Sequence, residues 1–439
     1  MSQAHEYFYD ECHLRDDGTA DDPIYTTVLT RDSERVKVPF VYSLGRRYHP
    51  VHEHDDRKEY ERSLFWWTYR RDFPAYNFIT TDAGWGCMLR SAQMMLSHAL
   101  RIHFKSRHWK PHPSISRARE DGFVVKLMTW FADFPSVLVS HYSVHNMCAA
   151  GVQKYEVCPG DWYGPGTSCY IIRDLAALHQ KRQSNLFRVH VSSEGTVYND
   201  LVYELMTKEA AEKRRLSEEA ETDEKEEIPH PLHPLDPVID NKKPQWELKD
   251  LEWDTSLLLL IPHRLGRSYM NEKYIPSFVK TFSLTQSVGV LGGRPRGARW
   301  FYGAYSDGSK IFGLDPHTVQ KAPDGHIEKK EHAGKTQKQL SVDLTDEYLA
   351  SVHTSNPDIL GLDRMDPSIA FGFYCRNRKD YLDLREALTN PNTTPNVVSF
   401  VDKPPTYDMS DDGMDMPEDG LDAPAAEDEL SDEDDFVLL

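Results

Sequence analysis

Residues 80–90 constrain the fold of this chain more than any other segment, because they join a glycine-rich turn to a long periodic run. The turn reads Gly84-Trp85-Gly86 and ends at Cys87. The apolar positions that follow are 88, 92, 95, 99 and 102, a spacing that predicts one apolar face of an amphipathic helix. Cys87 is therefore predicted to lie where that helix begins.

A cysteine at the start of a helix is a candidate nucleophile. The positive end of the helix dipole and the unpaired backbone N–H groups both favour the thiolate form. The same N–H groups can hold an oxyanion that forms beside the sulfur. Most free cysteines are instead small buried hydrophobic residues, so the position alone leaves a purely structural role for Cys87 open.

A carboxylate and an imidazole follow a predicted strand in the second half of the chain. The runs 299–305 and 310–314 read as strands, and the Asp-Gly pair between them predicts a hairpin. The second run ends in Asp315-Pro316-His317, where residues i and i+2 of an extended chain share a face.

A carboxylate beside an imidazole fixes its tautomer and supports its cation, although an ordinary surface ion pair is the alternative. Combined with Cys87, Asp315 and His317 predict the catalytic set of a thiol hydrolase. A cysteine on a helix and a histidine on a strand, on opposite walls of a cleft, are typical of a papain-like α/β (α+β) fold.

Two aromatic residues are further candidates. Tyr69 ends the aromatic segment 64–69, and its hydroxyl either reaches an active site or is satisfied locally. Trp162 lies in the Gly/Pro-punctuated loop 159–167, where it is either a packing residue or a cover over a cleft.

The composition divides the chain into three parts. Residues 1–36 are polar and predict a mobile N-terminal arm, and residues 37–385 predict a single catalytic domain with a small auxiliary subdomain. Within that domain, residues of about 206–250 are rich in Glu and Lys and then in Pro and His, and predict a flexible insertion. Residues 386–439 predict a disordered acidic tail.

Charge and cysteine usage exclude several classes of protein. The net charge is −19, but the final 32 residues hold fourteen acidic residues and no Lys or Arg, which leaves −5 on the rest of the chain. The basic residues of this sequence are not clustered, so nucleic-acid binding is not predicted. The six cysteines form no CxxC pair, which favours a reducing, cytoplasmic location over a structural zinc site. The histidines at 49, 52 and 54 predict a solvated surface better than a metal site, and no metal or cofactor is expected.

Motifs in the same order resemble those of the autophagins, the autophagy-related cysteine endopeptidases. The resemblance covers most of residues 37–385 apart from the insertion. The motifs are Phe65-Trp66-Trp67-Thr68-Tyr69-Arg70, Gly84-Trp85-Gly86-Cys87-Met88-Leu89-Arg90, Trp162-Tyr163-Gly164-Pro165, Ile261-Pro262-His263-Arg264-Leu265-Gly266, Gly289-Val290-Leu291-Gly292-Gly293-Arg294-Pro295, Leu314-Asp315-Pro316-His317-Thr318 and Asp366-Pro367-Ser368-Ile369-Ala370.

This resemblance implies an enzyme that cleaves after the C-terminal glycine of ubiquitin-like autophagy modifiers, matures their precursors and releases them from phosphatidylethanolamine. Access to autophagic membranes would then come through the lipidated substrate, and the enzyme is expected to be a monomer. The implied site roles are, in order, the nucleophile Cys87, the acid–base His317, the orienting Asp315, the oxyanion-assisting Tyr69, the cleft cover Trp162, the gating loop that contains Gly292, Gly293 and Pro295, and the modifier-contacting Arg264. Ser91 stands where some members carry a second cysteine, so a redox switch there is in doubt.

The end of the acidic tail is a candidate docking motif. It reads Asp434-Asp435-Phe436-Val437-Leu438-Leu439, and an extended peptide of this kind can add to a sheet edge while Phe436 and Leu439 fill pockets. Residues 25–28 are a weaker second candidate. Two alternatives stay open: an adaptor that binds modifiers without cleaving them, and a deubiquitinase-like thiol protease of broader specificity.

Overall fold

The computed structural model describes residues 15–16, 24–29, 34–207, 253–294, 297–332, 335–354, 356–390 and 395–405. The chain divides into the unit Met1–Pro404, whose architecture follows, and the unit Pro405–Leu439. Pro295, Phe436 and Leu439 lie outside the described residues, as does all but the first two residues of the insertion predicted at 206–250. The roles assigned to them stay predictions.

The described residues form ten α-helices and nineteen strands. The helices are α1 (His54–Arg62), α2 (Cys87–Phe104), α3 (Ile115–Glu120), α4 (Gly122–Phe131), α5 (Val144–Tyr155), α6 (Pro165–Gln180), α7 (Asn199–Met206), α8 (Ile275–Lys280), α9 (Asp346–Ala350) and α10 (Arg378–Thr389), with 3-10 turns at Glu272–Tyr274, Thr281–Ser283 and Leu362–Arg364. The strands are β1 (Arg15–Asp16), β2 (Tyr25–Leu29), β3 (Arg35–Pro39), β4 (Val41–Ser43), β5 (Arg46–Tyr48), β6 (Tyr69–Tyr76), β7 (Ile79–Thr81), β8 (Arg188–Val191), β9 (Thr196–Tyr198), β10 (Leu257–Arg264), β11 (Ser287–Arg294), β12 (Gly297–Tyr305), β13 (Ile311–Leu314), β14 (Val319–Lys321), β15 (Gly325–His332), β16 (Lys335–Val342), β17 (Asp358–Leu360), β18 (Ser368–Cys375) and β19 (Ser399–Val401).

The central sheet has the strand order β17-β13-β12-β11-β18-β10-β8, and β4 and β5 extend it from β12. All of its pairs are antiparallel except β8 with β10. The predicted hairpin is confirmed, because β12 pairs with β13 from Trp300↔Leu314 to Ala304↔Ile311. This pairing brings the end of β13, and so Asp315, beside the start of β12.

Apolar side chains cover both faces of the central sheet. Along β10, Leu258 and Leu260 join the core that contains α2, whereas Leu257 and Leu259 join a second core on the opposite face. Successive side chains of a strand point to opposite faces, so a continuous apolar run requires both to be covered. A sheet covered by helices on both faces, with Cys87 at the start of α2, confirms the predicted papain-like α/β fold.

The helix that begins at Cys87 is confirmed, but its predicted amphipathic character is wrong. Every residue from Cys87 to Ile102 is buried, including the charged Arg90 and Arg101. The helix packs against β11, β12 and α6 and is enclosed on all sides. A helix in the middle of a core buries polar positions too when they find partners, which periodicity alone does not reveal.

Order extends upstream of residue 37, where the sequence predicted a mobile arm. Strand β2 pairs with β3 over its whole length, and the Val28 side chain is fully buried. The weaker docking candidate at residues 25–28 is therefore wrong, because this segment is already a strand within its own sheet.

Candidate active site

Cys87 is the first residue of α2, and Gly86 is its N-cap residue. A Cβ atom on Gly86 would lie 2.4 Å from a carboxylate oxygen of Asp82, so only glycine fits between the turn and that buried side chain. Gly86 offers no side chain to cap the helix, so in the described part of the chain its first N–H groups have no capping hydrogen bond. The Cys87 side chain itself is 3% exposed.

The environment of Cys87 favours the thiolate. Burial raises the pKa of the thiol, but hydrogen bonds from His317, from the Ala298 backbone N–H and from the Tyr69 hydroxyl outweigh it, so the net pKa is lowered. The buried cysteines on other elements behave oppositely, since burial raises the pKa of Cys148 to about 12. Cys87 is the activated thiol among them.

Asp315 and His317 form the pair that the sequence predicted. One Asp315 oxygen accepts from both the backbone N–H of His317, at 3.0 Å, and its ring Nδ1. Hydrogen bonds to Asp315 and to Cys87 raise the pKa of His317 to about 9 in spite of partial burial. The other ring nitrogen, Nε2, is buried and has no other partner in the described part of the chain, and Cys87 is the neighbouring group that, with Asp315, raises the pKa of the ring.

The aromatic segment 64–69 holds this pair in place. Trp66 donates its Nε1–H to the Asp315 carbonyl at 2.7 Å, and the Tyr69 N–H donates to the Pro316 carbonyl at 3.0 Å. The Tyr69 ring stands edge-on to His317, with ring centroids 5.3 Å apart. Burial and the neighbouring Cys87 raise the pKa of the Tyr69 hydroxyl, which therefore stays a protonated donor beside the sulfur.

Arg299 is a residue of the site that sequence reasoning missed. Its Nη2 donates to the second Asp315 oxygen at 3.0 Å, and its Nε donates to Asp358. The predicted hairpin could have revealed this contact. Continuing the β12–β13 register one residue beyond the Trp300↔Leu314 pair places Arg299 opposite Asp315. The sequence alone gave no reason to bring Asp358 to the same place.

A fully buried ionic network, also missed, supports the turn before Cys87. Arg90 donates its Nε–H to Asp82 at 2.7 Å and its two terminal nitrogens to Asp133 at 3.1 and 3.2 Å. Asp82 also accepts the Arg70 N–H at 2.6 Å. The network joins α2, β6 and the segment after α4, so it fixes the start of α2 against the strand that carries Tyr69.

Trp162 and Arg264 lie at the surface. Trp162 is 53% exposed, and its neighbour Tyr163 has its ring 6.4 Å from that of Trp85, which places the two loops side by side. Arg264 donates to the Gly266 carbonyl at 3.1 Å and to Ser368 at 3.0 Å. Their predicted roles in covering the cleft and contacting a substrate remain predictions.

Gly292 and Gly293 lie within strand β11 rather than in a loop. Gly293 has a φ of +152°, and a Cβ on it would lie 2.2 Å from the Gly297 carbonyl oxygen. Its pairing partner is Ala298, the residue whose N–H contacts Cys87. Gly293 therefore lets β11 and β12 approach closely beside the thiol, whereas a Cβ on Gly292 would meet the side chains of Met365 and Ile369.

The raised pKa of His317 predicts an unusual pH profile. Because its imidazolium persists up to about pH 9, hydrolysis should stay constant across neutral pH, and its alkaline limb should begin only near that value, as the general acid loses its proton. Alkylation of Cys87 by iodoacetamide needs only the thiolate and should not fall there. Rates of both reactions across the pH range check this, and an alkaline limb near the ordinary histidine pKa would contradict it.

A helix-borne thiolate paired with an imidazole that a carboxylate orients, in a papain-like fold, defines a cysteine-type peptidase. The chain belongs to the Peptidase C54 family, because the model of the Peptidase C54 catalytic domain matches residues 54–387.

Curated relatives agree with this family. The chain is 32% identical over 352 residues to "Cysteine protease ATG4B" of Xenopus laevis, covering 78% of this chain and 77% of the relative. It is 31% identical over 356 residues to "Cysteine protease ATG4B" of Gallus gallus, with 80% of each chain covered. It is 31% identical over 323 residues to "Cysteine protease ATG4A" of Bos taurus, covering 72% and 70%. The autophagin resemblance is confirmed, and the chain is a cysteine protease acting in autophagy.

Two negative findings concern the described residues. No three His, Cys, Asp or Glu side chains among them come together as a metal ion would require. The predicted solvated patch contains His49, whose Nδ1 accepts the N–H groups of Val51 and His52 at 3.2 Å. None of the helices in this part of the chain is long and apolar enough to cross a membrane.

Proposed function

We propose that this enzyme cleaves after the C-terminal glycine of ubiquitin-like autophagy modifiers, both to mature the precursor and to release the modifier from phosphatidylethanolamine. The observation that carries the proposal is the contact of one buried thiol with His317, Tyr69 and the Ala298 N–H. Membership of the Peptidase C54 family supports the choice of substrate.

The acylation step follows from this arrangement. The Cys87 thiolate attacks the glycine carbonyl carbon, and the carbonyl oxygen takes up the negative charge. The N–H groups at the start of α2 and the protonated Tyr69 hydroxyl stabilise that oxyanion. The His317 imidazolium then gives its proton to the leaving nitrogen, the C–N bond breaks, and a thioester remains on Cys87.

Deacylation reverses the role of His317. The neutral imidazole removes a proton from water, the hydroxide attacks the thioester carbon, and the Cys87 sulfur leaves as the thiolate. The products are the original ion pair and a modifier with a new glycine carboxyl group, which releases its proton to the solvent. The same two steps release phosphatidylethanolamine, since its amine is joined to the glycine through an amide bond.

The selectivity for glycine rests on a narrow cleft. The loop of Trp162 lies beside the loop that precedes Cys87, and Gly293 pairs with Ala298, the residue that contacts the thiol. A glycine has no side chain to fit between these walls, whereas a branched residue meets them. Arg264 contacts the body of the modifier, and Phe436 and Leu439 dock a second modifier surface. The enzyme acts in the cytoplasm as a monomer and meets membranes through its lipidated substrate.

Cleavage of defined fusions tests the proposal. The substrates are a modifier precursor with a C-terminal reporter, the same precursor with the glycine changed to valine, a ubiquitin fusion and the lipid-bound modifier. We expect the valine form and the ubiquitin fusion to react at least about 100-fold more slowly. A truncation that lacks residues 436–439 should be slower on the lipid-bound substrate.

Each alternative has its own outcome in this experiment. Equal cleavage of the ubiquitin fusion would favour a deubiquitinase-like enzyme of broader specificity. Binding of the modifier without cleavage of any substrate, matched by the Cys87→Ala variant, would favour the adaptor. Cleavage after glycine by the wild type alone supports the proposed activity.

A further inference from the structure

Arg299 lies on the first of three neighbouring strands, and its two acidic partners come from the other two. It lies near the start of β12, with Asp315 directly after β13 and Asp358 at the start of β17. The order β17-β13-β12 in the sheet places the two carboxylates next to the same guanidinium. Residues that face each other across paired strands project to the same side, which accounts for the contact.

All three nitrogens of Arg299 are engaged. Nη2 donates to Asp315 at 3.0 Å, Nη1 donates to the Gly297 carbonyl at 2.8 Å, and Nε donates to Asp358. The side chain is 15% exposed, compared with 35% for Asp315 and 28% for Asp358. A planar guanidinium held at three points has one orientation only, so it fixes the carboxylate that it binds.

The two oxygens of Asp315 therefore have separate partners. Oδ1 accepts from His317, and Oδ2 accepts from Arg299. Without Arg299, the Asp315 carboxylate is bonded through Oδ1 alone and can turn more widely about its broad terminal torsion. The backbone of the same short segment also contacts the thiol, because Ala298 precedes Arg299 and donates its N–H to Cys87.

We propose that Arg299 is a positioning residue of the catalytic site, which acts through Asp315 to hold His317 in the geometry that stabilises the Cys87 thiolate. The inference rests on the cysteine-peptidase site alone and does not depend on the identity of the substrate. An ordinary structural ion pair would instead contribute to stability without any influence on the thiol.

Every charged or titratable group that faces this pair contributes to the expected pH dependence. Asp315 faces His317 and Arg299, while His317 faces Asp315, Cys87 and the Tyr69 ring. Removing Arg299 takes one positive charge from the surroundings of the thiolate and loosens the imidazolium. Both changes disfavour the thiolate, so the acidic limb of its formation moves to higher pH.

Arg188 offers a matched control. It lies on β8, at the far edge of the same sheet, and its side chain is likewise 15% exposed. It donates to both oxygens of Asp254 at 2.6 and 2.8 Å and to the Leu205 carbonyl at 3.0 Å. Arg188→Ala thus removes a comparable ion pair and carbonyl contact without touching the site.

The experiment measures the rate at which iodoacetamide alkylates Cys87 as a function of pH, with the Cys87 peptide quantified by mass spectrometry. Thermal unfolding of each variant is recorded alongside. We expect Arg299→Ala to move the acidic limb up by about 0.5 to 1 pH unit and to slow alkylation below the limb about threefold to tenfold. Arg188→Ala should lower the unfolding temperature without moving the limb.

Arg299→Lys is a second variant that separates loss of the bridging geometry from loss of the positive charge. Lysine keeps the positive charge but cannot bridge three acceptors, so part of the limb shift should remain. If Arg299→Ala does not fold, the limb of Arg299→Lys decides. An unchanged limb in the folded Arg299 variants, or an equal shift in Arg188→Ala, would overturn the proposal. Because alkylation uses no protein substrate, this outcome is separate from success or failure of the proposed modifier cleavage.

Discussion

Replacing Cys87 with alanine is expected to lower peptide hydrolysis by at least about 10⁵-fold, to the background rate. The thiol is the only group placed to attack a carbonyl between His317 and the start of α2 among the described residues. The substitution removes one sulfur from a buried position and leaves the surrounding hydrogen bonds of Asp315 intact. Hydrolysis of a precursor fusion by purified wild type and variant, with unfolding temperatures recorded in parallel, checks the expectation.

Cys87 and His317 should also be interdependent, so that replacing either one abolishes hydrolysis. His317→Ala is expected to lose nearly as much activity as Cys87→Ala, and the double variant should be no worse than either. Cys169→Ala is the matched control, because Cys169 is equally buried but lies on α6, where burial raises its pKa and keeps it an inert thiol. Retained activity in Cys87→Ala, or lost activity in a folded Cys169→Ala, would refute the assignment.

Replacing Arg90 with methionine is expected to destabilise the fold by about 3–5 kcal/mol. Methionine fills much of the volume, but Asp82 and Asp133 then remain buried without the cation that both contact. Burial already raises the pKa of Asp82 against the influence of Arg90, so loss of Arg90 raises it further. The unpaired Asp82 side chain destabilises the fold only while it is ionised. The loss of stability in Arg90→Met should therefore shrink as the pH is lowered. Urea unfolding at several pH values measures this.

Lys105→Met provides the comparison for Arg90→Met. Lys105 directly follows the same helix, and its partner Asp121 lies at 3.3 Å, but both side chains are about a third exposed. Solvent screening limits such a pair to less than about 1 kcal/mol, with little dependence on mildly acidic pH. Equal losses in the two variants would show that the buried network contributes no more than a surface ion pair.

The sequence was sufficient to place Cys87 at the start of a helix and Asp315 beside His317, because their local signals are strong. The glycine-rich turn before Cys87 and the Asp-x-His spacing at 315–317 are short-range features that follow from turn geometry and strand alternation. The β12–β13 hairpin was predictable for the same reason, since its turn residues lie within the segment itself.

What the sequence could not predict depends on long-range contacts. Arg299 meets Asp358 only because β17 adds to the edge of the sheet beside β13. Arg90 lies outside the predicted apolar positions of α2, although it is buried and pairs with Asp133, 43 residues later. Such partners are set by tertiary packing, on which local periodicity carries no information.

The order of the strands in the central sheet also determines when the sheet can be completed during synthesis of the chain. Strand β18 lies between β11 and β10, so the centre of the sheet closes only after Cys375 has been synthesised, about 290 residues after Cys87. At ribosomal rates of about 5–20 residues per second, that interval is roughly 15–60 s. During this interval the nascent chain contains Cys87, but the sheet that positions His317 is incomplete. A growing chain, or one that terminates before β18, therefore holds a cysteine that cannot yet cleave the proteins around it.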